Sequence, residues 1–190
     1  MKDLEISPEK KTFADLLQIT SNRVYSIPVY QRNYTWNPEN ETTRFLNDIE
    51  DLLEKNTNHH FLGILIYIES EVMTMFKELQ IVDGQQRLTT SFIFLLCLKR
   101  LALEKKEKDV AGMIDDFYLY NRHMSNDTKL RLKPTVSDDD VYAKLIYGSY
   151  KDLNKKETET SVYRNYETIY KRLAEFSKKY SLVEILNCLS

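Results

Sequence analysis

Residues 83–87 form a polar cluster between a strand-like run and an apolar helix. In order they are an acid, a glycine, two glutamines and an arginine: Asp83, Gly84, Gln85, Gln86 and Arg87. Free backbone N–H groups at a helix N-terminus attract anions, and a glycine there lets the backbone approach a ligand closely. Glutamine amides are further donors, and the planar fork of an arginine suits phosphate. The pattern is therefore typical of a phosphate-binding turn.

Other groups near this turn could complete such a site. Asp83 could hold Mg²⁺ through water, since that ion prefers oxygen ligands, and Thr89 and Thr90 could add hydroxyl donors. The alternative is that Asp83 and the glutamines only cap the helix while Arg87 pairs with a nearby acid. Neither standard phosphate loop, GxxxxGK[ST] or GxGxxG, occurs in the sequence.

A second polar island is the segment IPVYQRNYTW, residues 27–36. It combines Tyr30, Gln31 and Arg32 with a second tyrosine and the single tryptophan of the chain. Aromatic rings offer a platform for a base, and the arginine offers a partner for phosphate or carboxylate. Equally, the segment could be an edge strand whose aromatic side chains pack into the core. The residues alone leave both interpretations open.

Predicted strands and helices place these two islands. Mostly apolar runs predict strands at 61–70 and 76–83, joined as a hairpin, and a short strand within 128–136. A helix from about residue 85 to 107 is apolar almost all round, which predicts a central position in the domain. Further helices are predicted at about 12–20, 37–56, 137–148 and 161–180, with another beginning at 181. Ser137 and Asp138 are the predicted caps of the helix at 137–148.

Bulk composition excludes several classes of protein. The 190 residues carry 27 basic and 29 acidic side chains, a net charge of −2, which argues against coating nucleic acid through charge alone. No apolar run approaches the roughly 20 residues that span a bilayer, and the N-terminus lacks the apolar stretch of a secretory signal. Cys97 and Cys188 lie in apolar helical segments and are interpreted as reduced thiols. We therefore expect a cytoplasmic protein. His59 and His60 lack further ligands at the spacing of a metal site. The Asp138–Asp140 run could suggest a metal cluster, but at a helix start it is interpreted as capping.

Three motifs together carry a family resemblance: IPVYQRNYTW, FLGILIY and LQIVDGQQRLTT. In combination they resemble the N-terminal domain of the GmrSD family of modification-dependent restriction enzymes, a domain that also occurs in SspE-type phage-defence proteins. The resemblance covers roughly residues 10–150. It implies an α+β fold like that of ParB and sulfiredoxin, with a small mixed sheet flanked by helices. The family often has a small or hydroxyl residue after the glycine of FLG, where this chain has Ile64.

The resemblance also implies a domain organisation. Residues 1–150 are predicted to form the nucleotide-binding domain, and residues 151–190 a helical extension cut from a longer chain. Family members usually continue into a C-terminal nuclease domain with an HNH signature. Because that signature does not occur in the sequence, we expect no nuclease activity from this chain alone. Modified DNA is a further expected partner, and no membrane is expected.

By the resemblance, the predicted activity is Mg²⁺-dependent hydrolysis of a nucleoside triphosphate, an NTPase (hydrolase) reaction within a restriction or phage-defence protein. The catalytic residues that carry over are Asp83, Gln85, Gln86 and Arg87, with Asp83 also the metal ligand. The nucleotide-binding residues that carry over are Tyr30, Gln31, Arg32, Gly84 and Arg87. Thr89 and Thr90 are added to the predicted nucleotide-binding residues as hydroxyl donors.

Two other functions are considered. One is a regulatory module that binds nucleotide or DNA without hydrolysis, in which the alternating Lys129, Arg131 and Lys133 could face phosphate. For these three residues, a solvated surface is the other interpretation. The second is a redox enzyme like sulfiredoxin, which is set aside because no cysteine lies between Asp83 and Arg87.

Overall fold

The computed structural model describes residues 8–12, 15–16, 23–55, 63–73, 76–121 and 129–189. Its strands are β1 (Arg23–Ser26), β2 (Ile66–Met73), β3 (Phe76–Asp83) and β4 (Leu132–Lys133). Its helices are α1 (Thr43–Lys55), α2 (Gln85–Glu104), α3 (Lys108–Ile114), α4 (Val136–Ile146), α5 (Lys155–Thr158), α6 (Ser161–Phe176) and α7 (Leu182–Asn187). Short π-helical turns cover Pro38–Thr42 and Asp115–Leu119, and a 3₁₀ turn covers Tyr150–Asp152.

The strands form one mixed sheet in the order β2-β3-β1-β4. β1 is parallel to both β3 and β4, whereas β2 and β3 form an antiparallel pair. Helices of the same chain pack around this small sheet. The predicted α+β class, a small mixed sheet flanked by helices and followed by a helical C-terminal part, is confirmed. The predicted strand in 128–136 is also confirmed, although β4 is only two residues long.

The strand predicted for residues 61–70 begins later than the sequence suggested. β2 starts at Ile66, residues 61–62 lie outside the described residues, and residues 63–65 are not part of the sheet. Gly63 has a φ of +104°, a left-handed conformation that an extended strand does not accommodate. The apolar side chains of residues 61–70 gave no indication in the sequence of the left-handed turn at Gly63. Residues 63–65 instead cross the start of α2.

The central helix is confirmed. α2 begins at Gln85 directly after β3 and is buried on nearly all sides, with Phe92, Phe94 and Leu95 fully buried. It ends at Glu104, three residues before the predicted end. The chain leaves the helix through Lys106, a non-glycine residue with a φ of +63°. α2 is therefore packed into the core along its length, with its N-terminus at the end of β3.

The C-terminal helices share the same core. Ile169, Leu173 and Ile185 are fully buried among the side chains that also include Phe92 and Leu98 of α2. The domain boundary at residue 150 stays a prediction. Among the described residues, no helix has the length and apolar character needed to cross a bilayer.

The start of α4 differs from the prediction. The helix begins at Val136, so the N-cap position belongs to Thr135 rather than to Ser137 or Asp138. The Asp138 carboxylate lies one turn further and accepts hydrogen bonds from the Thr135 hydroxyl at 2.8 Å and from the Tyr34 backbone N–H at 2.7 Å. Asp138 therefore binds the segment of the chain that contains Tyr34.

Candidate functional site

The two polar islands, about fifty residues apart in sequence, are in contact. The Gln31 side-chain amide donates to the Val82 carbonyl at 2.9 Å. The Gln85 side-chain amide donates to the Gln31 side-chain oxygen at 3.2 Å and to the Arg32 carbonyl at 3.1 Å. Residues 29–35, here called the 29–35 loop, therefore lie against the end of β3 and the start of α2.

Gln86 fixes the next part of the same loop. Its side-chain oxygen accepts from the Thr35 backbone N–H at 2.8 Å, and its amide nitrogen donates to the Asn33 carbonyl at 3.1 Å. Both bonds satisfy backbone groups, which fixes the orientation of the Gln86 amide. Like Gln85, this side chain is 7% exposed. The two glutamines of the motif therefore bind the 29–35 loop in this structure.

Thr90 anchors the loop from deeper in α2. Its hydroxyl donates to the Gln86 carbonyl at 2.9 Å and lies 2.7 Å from the Tyr34 hydroxyl, which then acts as the donor to Thr90. Burial raises the pKa of Tyr34, so its hydroxyl keeps its proton. Thr89 and Thr90 are both buried. Their predicted role as nucleotide ligands stays a prediction, but their placement favours packing and loop positioning.

Asp83, Arg87, Arg32 and Tyr30 have side chains exposed to solvent. Asp83 ends β3, and Arg87 lies in the first turn of α2, where its Nη1 donates to the Ile64 carbonyl at 3.2 Å. Tyr30 is 72% exposed, as a ring that receives a ligand must be. The structure thus separates the predicted site residues into an exposed group and a buried group that supports it.

Glu41 lies in the π-helical turn that begins at Pro38, close to the charges of two arginines. The pKa of Glu41 is lowered mainly by its hydrogen bond from the Asn37 backbone N–H, and the positive charges of Arg44 and Arg32 contribute in the same direction. The exposed guanidinium of Arg32 remains accessible to an anion from solvent.

Gly84 has to be glycine for two reasons. Its φ is +89°, and an added Cβ would lie 2.8 Å from the Ile64 carbonyl oxygen and 3.0 Å from Leu65 Cδ1. An oxygen of the backbone cannot move away cheaply, so a side chain is excluded. The sequence predicted a close approach of this backbone to a ligand, whereas the close approach found is to residues 64–65. Segment 63–65 is thus a third part of the site that the sequence analysis did not identify, although Gly63 in FLG was its signal.

The N-terminus of α2 carries no side-chain cap. Gly84 precedes the helix, and within the described residues the backbone N–H groups of Gln85, Gln86 and Arg87 have no hydrogen-bond acceptor. By contrast, the Thr160 side chain accepts from a first-turn N–H of α6. Uncapped N–H groups carry partial positive charge and point out of the helix. The start of α2 can therefore accept an anion between Asp83 and Arg87.

The opposite side of the 29–35 loop is held by the start of α4. Besides the bond from Tyr34 to Asp138, the Asn33 side-chain oxygen accepts from the Ser137 hydroxyl at 2.5 Å. The loop is thereby fixed between two helix N-termini. Neither Asn33 nor Asp138 was assigned a role in the site from the sequence, because the contacts join residues more than a hundred positions apart.

Asp83 is the acid of the predicted site that could take part in binding Mg²⁺. The described residues contain no cluster of three or more histidine, cysteine, aspartate or glutamate side chains that could hold a metal. Mg²⁺ is usually bound by one or two carboxylates together with substrate phosphates and water. The single exposed Asp83 fits an ion that binds together with a triphosphate.

Arg131 does not belong to an exposed phosphate-binding row. It is 2% exposed, and its Nε donates to the Tyr120 carbonyl at 3.3 Å. Burial lowers the pKa of its guanidinium. Lys129 is exposed and Lys133 half-buried, so the run KLRLK is neither a uniform solvated surface nor a continuous contact for DNA.

The sequence profile described as GmrSD restriction endonuclease, N-terminal domain, matches residues 13–189 of the chain. The match runs through the predicted boundary at residue 150. No curated protein matches the chain.

Proposed function

We propose, from the premise that this chain belongs to the family of GmrSD restriction endonuclease N-terminal domains, that it binds and hydrolyses nucleoside triphosphates. Membership of this family indicates a restriction or phage-defence protein. The nucleotide would lie at the start of α2, between Asp83, Arg87 and the 29–35 loop. The observation that carries the proposal is the meeting of two polar segments around an uncapped helix N-terminus.

Phosphate binding would use fixed donors. The first-turn N–H groups of α2 supply oriented dipoles, and the Arg87 guanidinium supplies charge and a planar fork. The bond from Arg87 to the Ile64 carbonyl uses one of its N–H groups and leaves others for phosphate oxygens. Arg32 and the Tyr30 ring would contact the nucleotide from the facing loop.

Hydrolysis would depend on positioning and charge. A water oxygen bonds to the terminal phosphorus while the bond to the bridging oxygen breaks, the nucleoside diphosphate leaves, and the water gives up a proton to solvent. The charge on the phosphate oxygens has to be stabilised throughout this step. Arg87 and the α2 amides stabilise that charge from fixed positions, which is the main way in which such sites accelerate the reaction. Mg²⁺, when bound beside Asp83, would neutralise phosphate charge. Gln85 and Gln86 would act through the loop that they hold.

This proposal is tested by incubating the purified chain with ATP, GTP, CTP or UTP, each with Mg²⁺, and measuring binding and phosphate release. We expect release with at least one of the four. Asp83→Ala is expected to lower that release roughly 100-fold, as loss of a residue that binds the metal and substrate would. Asp51→Ala is the matched control, because Asp51 is also exposed but lies on α1, paired with Lys55. Equal release by both variants would contradict a role for Asp83.

One observation favours the non-hydrolysing alternative. Both ends of the Gln86 side-chain amide and the Gln85 amide nitrogen are already bonded to the 29–35 loop, which leaves the Gln85 side-chain oxygen as the one glutamine group of the motif without a bond to the loop that could orient an attacking water. Tight binding of a triphosphate without phosphate release, both with and without DNA, would support a regulatory module. Release at many turnovers per chain would reject it.

A further inference from the structure

The Arg87 guanidinium lies directly over the backbone of Gly63. A Cβ added at Gly63 would be 2.0 Å from Arg87 Nη1, 2.6 Å from Cζ and 3.2 Å from Nε. The first two distances are shorter than real Cβ contacts, and the third is unusually tight. The guanidinium therefore occupies the space that a side chain at residue 63 would fill.

The neighbouring carbonyl completes this contact. Arg87 Nη1 donates to the Ile64 carbonyl oxygen at 3.2 Å, and within the described residues no carboxylate lies at ion-pair distance from Arg87. A long exposed arginine otherwise samples many rotamers, and fixing it costs side-chain entropy. Residues 63 and 64 are thus what orients this guanidinium in the structure.

We propose that Gly63 is a positioning residue that holds Arg87 for the triphosphate. The inference rests on the proposed function and deepens it by adding a residue outside both polar motifs. Helical side chains point toward the N-terminus of their helix, so Arg87 extends back past the first turn of α2. The contact with Gly63 keeps the Arg87 guanidinium beside the free backbone N–H groups of α2 before the nucleotide binds. Such preorganisation strengthens binding because less order has to be imposed on it.

A simpler explanation is that Gly63 is needed only for its left-handed backbone. The chain offers a matched control for this. Gly148 also has a positive φ, +76°, but an added Cβ there has nothing within 4 Å. Gly148→Ala introduces the same kind of backbone strain without touching Arg87.

The test is a double-mutant cycle on nucleotide affinity, measured by calorimetry with Mg²⁺ and whichever of ATP, GTP, CTP and UTP binds the wild-type chain most tightly. Gly63→Ala is expected to weaken binding about tenfold, the factor that corresponds to one misplaced charged hydrogen bond. Gly148→Ala is expected to leave affinity unchanged. In an Arg87→Ala background, Gly63→Ala should cause no further loss, because the group that it displaces is gone.

A second measurement follows the arginine itself. In ¹⁵N-labelled protein without nucleotide, the side-chain Nε–H signal of Arg87, assigned by its loss in Arg87→Ala, should shift in Gly63→Ala and not in Gly148→Ala. The displaced atoms are the far end of a flexible side chain, so Gly63→Ala is expected to fold. If it unfolds alone but folds in the Arg87→Ala background, the contact is supported by stability instead.

Three results would overturn the inference. They are equal losses of affinity from Gly63→Ala with and without Arg87, an unshifted Arg87 signal, or unfolding of Gly63→Ala in both backgrounds. Failure of the proposed function is a different result. In that case, Arg87→Ala would bind the triphosphate as tightly as the wild type, whatever the Arg87 signal does in Gly63→Ala.

Discussion

Arg87→Ala is expected to lower triphosphate hydrolysis roughly 100- to 1,000-fold, the loss seen when one fixed donor to transition-state charge is removed. The change removes the only side chain in the first turn of α2 that is both charged and exposed. Stability should change by less than about 0.5 kcal/mol, since an exposed side chain with one backbone hydrogen bond contributes little to folding. Initial rates of phosphate release and urea unfolding curves measure the two effects.

Two further variants sharpen that experiment. Arg87→Lys keeps the charge but not the planar fork, so an intermediate rate is expected. Arg164→Ala is the matched control, since Arg164 is an exposed arginine on α6, in the helical part that follows the sheet. A fully active, folded Arg87→Ala protein would show that this guanidinium plays no part in the reaction.

Gln86→Leu is expected to lower the free energy of unfolding by about 2–4 kcal/mol. The leucine has a similar size but cannot accept from the Thr35 N–H or donate to the Asn33 carbonyl, so two partly buried backbone groups lose their partners. Residues 33–35 should then be held less firmly against α2, and hydrolysis should fall as well because the adjacent Arg32 loses part of its support. Urea denaturation gives the change in stability, and phosphate release gives the change in rate.

Gln80→Leu provides the comparison for this substitution. Gln80 lies half-buried on β3, and its side chain makes no hydrogen bond within the described part of the chain. The same chemical change should therefore have little effect there. If Gln86→Leu were as stable as Gln80→Leu, the glutamine would not be holding the loop, and its predicted catalytic role would regain support.

The sequence identified the core of the site because its signals are local. A β-rich run ending in Asp83, one glycine and a helix apolar on all sides predict the β3–α2 junction from neighbouring residues alone. The structure has this junction, with Gly84 in the left-handed conformation. The β3–α2 junction was predictable because it depends on the backbone conformation of one residue, Gly84.

The roles of the side chains were less predictable. A glutamine amide can bind a phosphate or a backbone carbonyl equally well, and only the position of the 29–35 loop decides between them. That position depends on bonds from residues 82–90 and 135–138, which no local pattern reports. Gly63 was missed for the same reason, because its importance depends on Arg87, which is more than twenty residues away. For Arg131, the sequence analysis considered a solvated side chain and a contact with phosphate, and both interpretations were wrong. The alternation of residues along a short strand did not reveal that this charge is buried.

The most direct test is a structure of the chain with Mg²⁺ and a non-hydrolysable analogue of the triphosphate that it binds most tightly. Our account predicts phosphate oxygens within hydrogen-bond distance of the Gln85–Arg87 backbone N–H groups and of the Arg87 guanidinium, with the metal beside Asp83. Phosphates bound elsewhere, with Arg87 contacting only the Ile64 carbonyl, would contradict it.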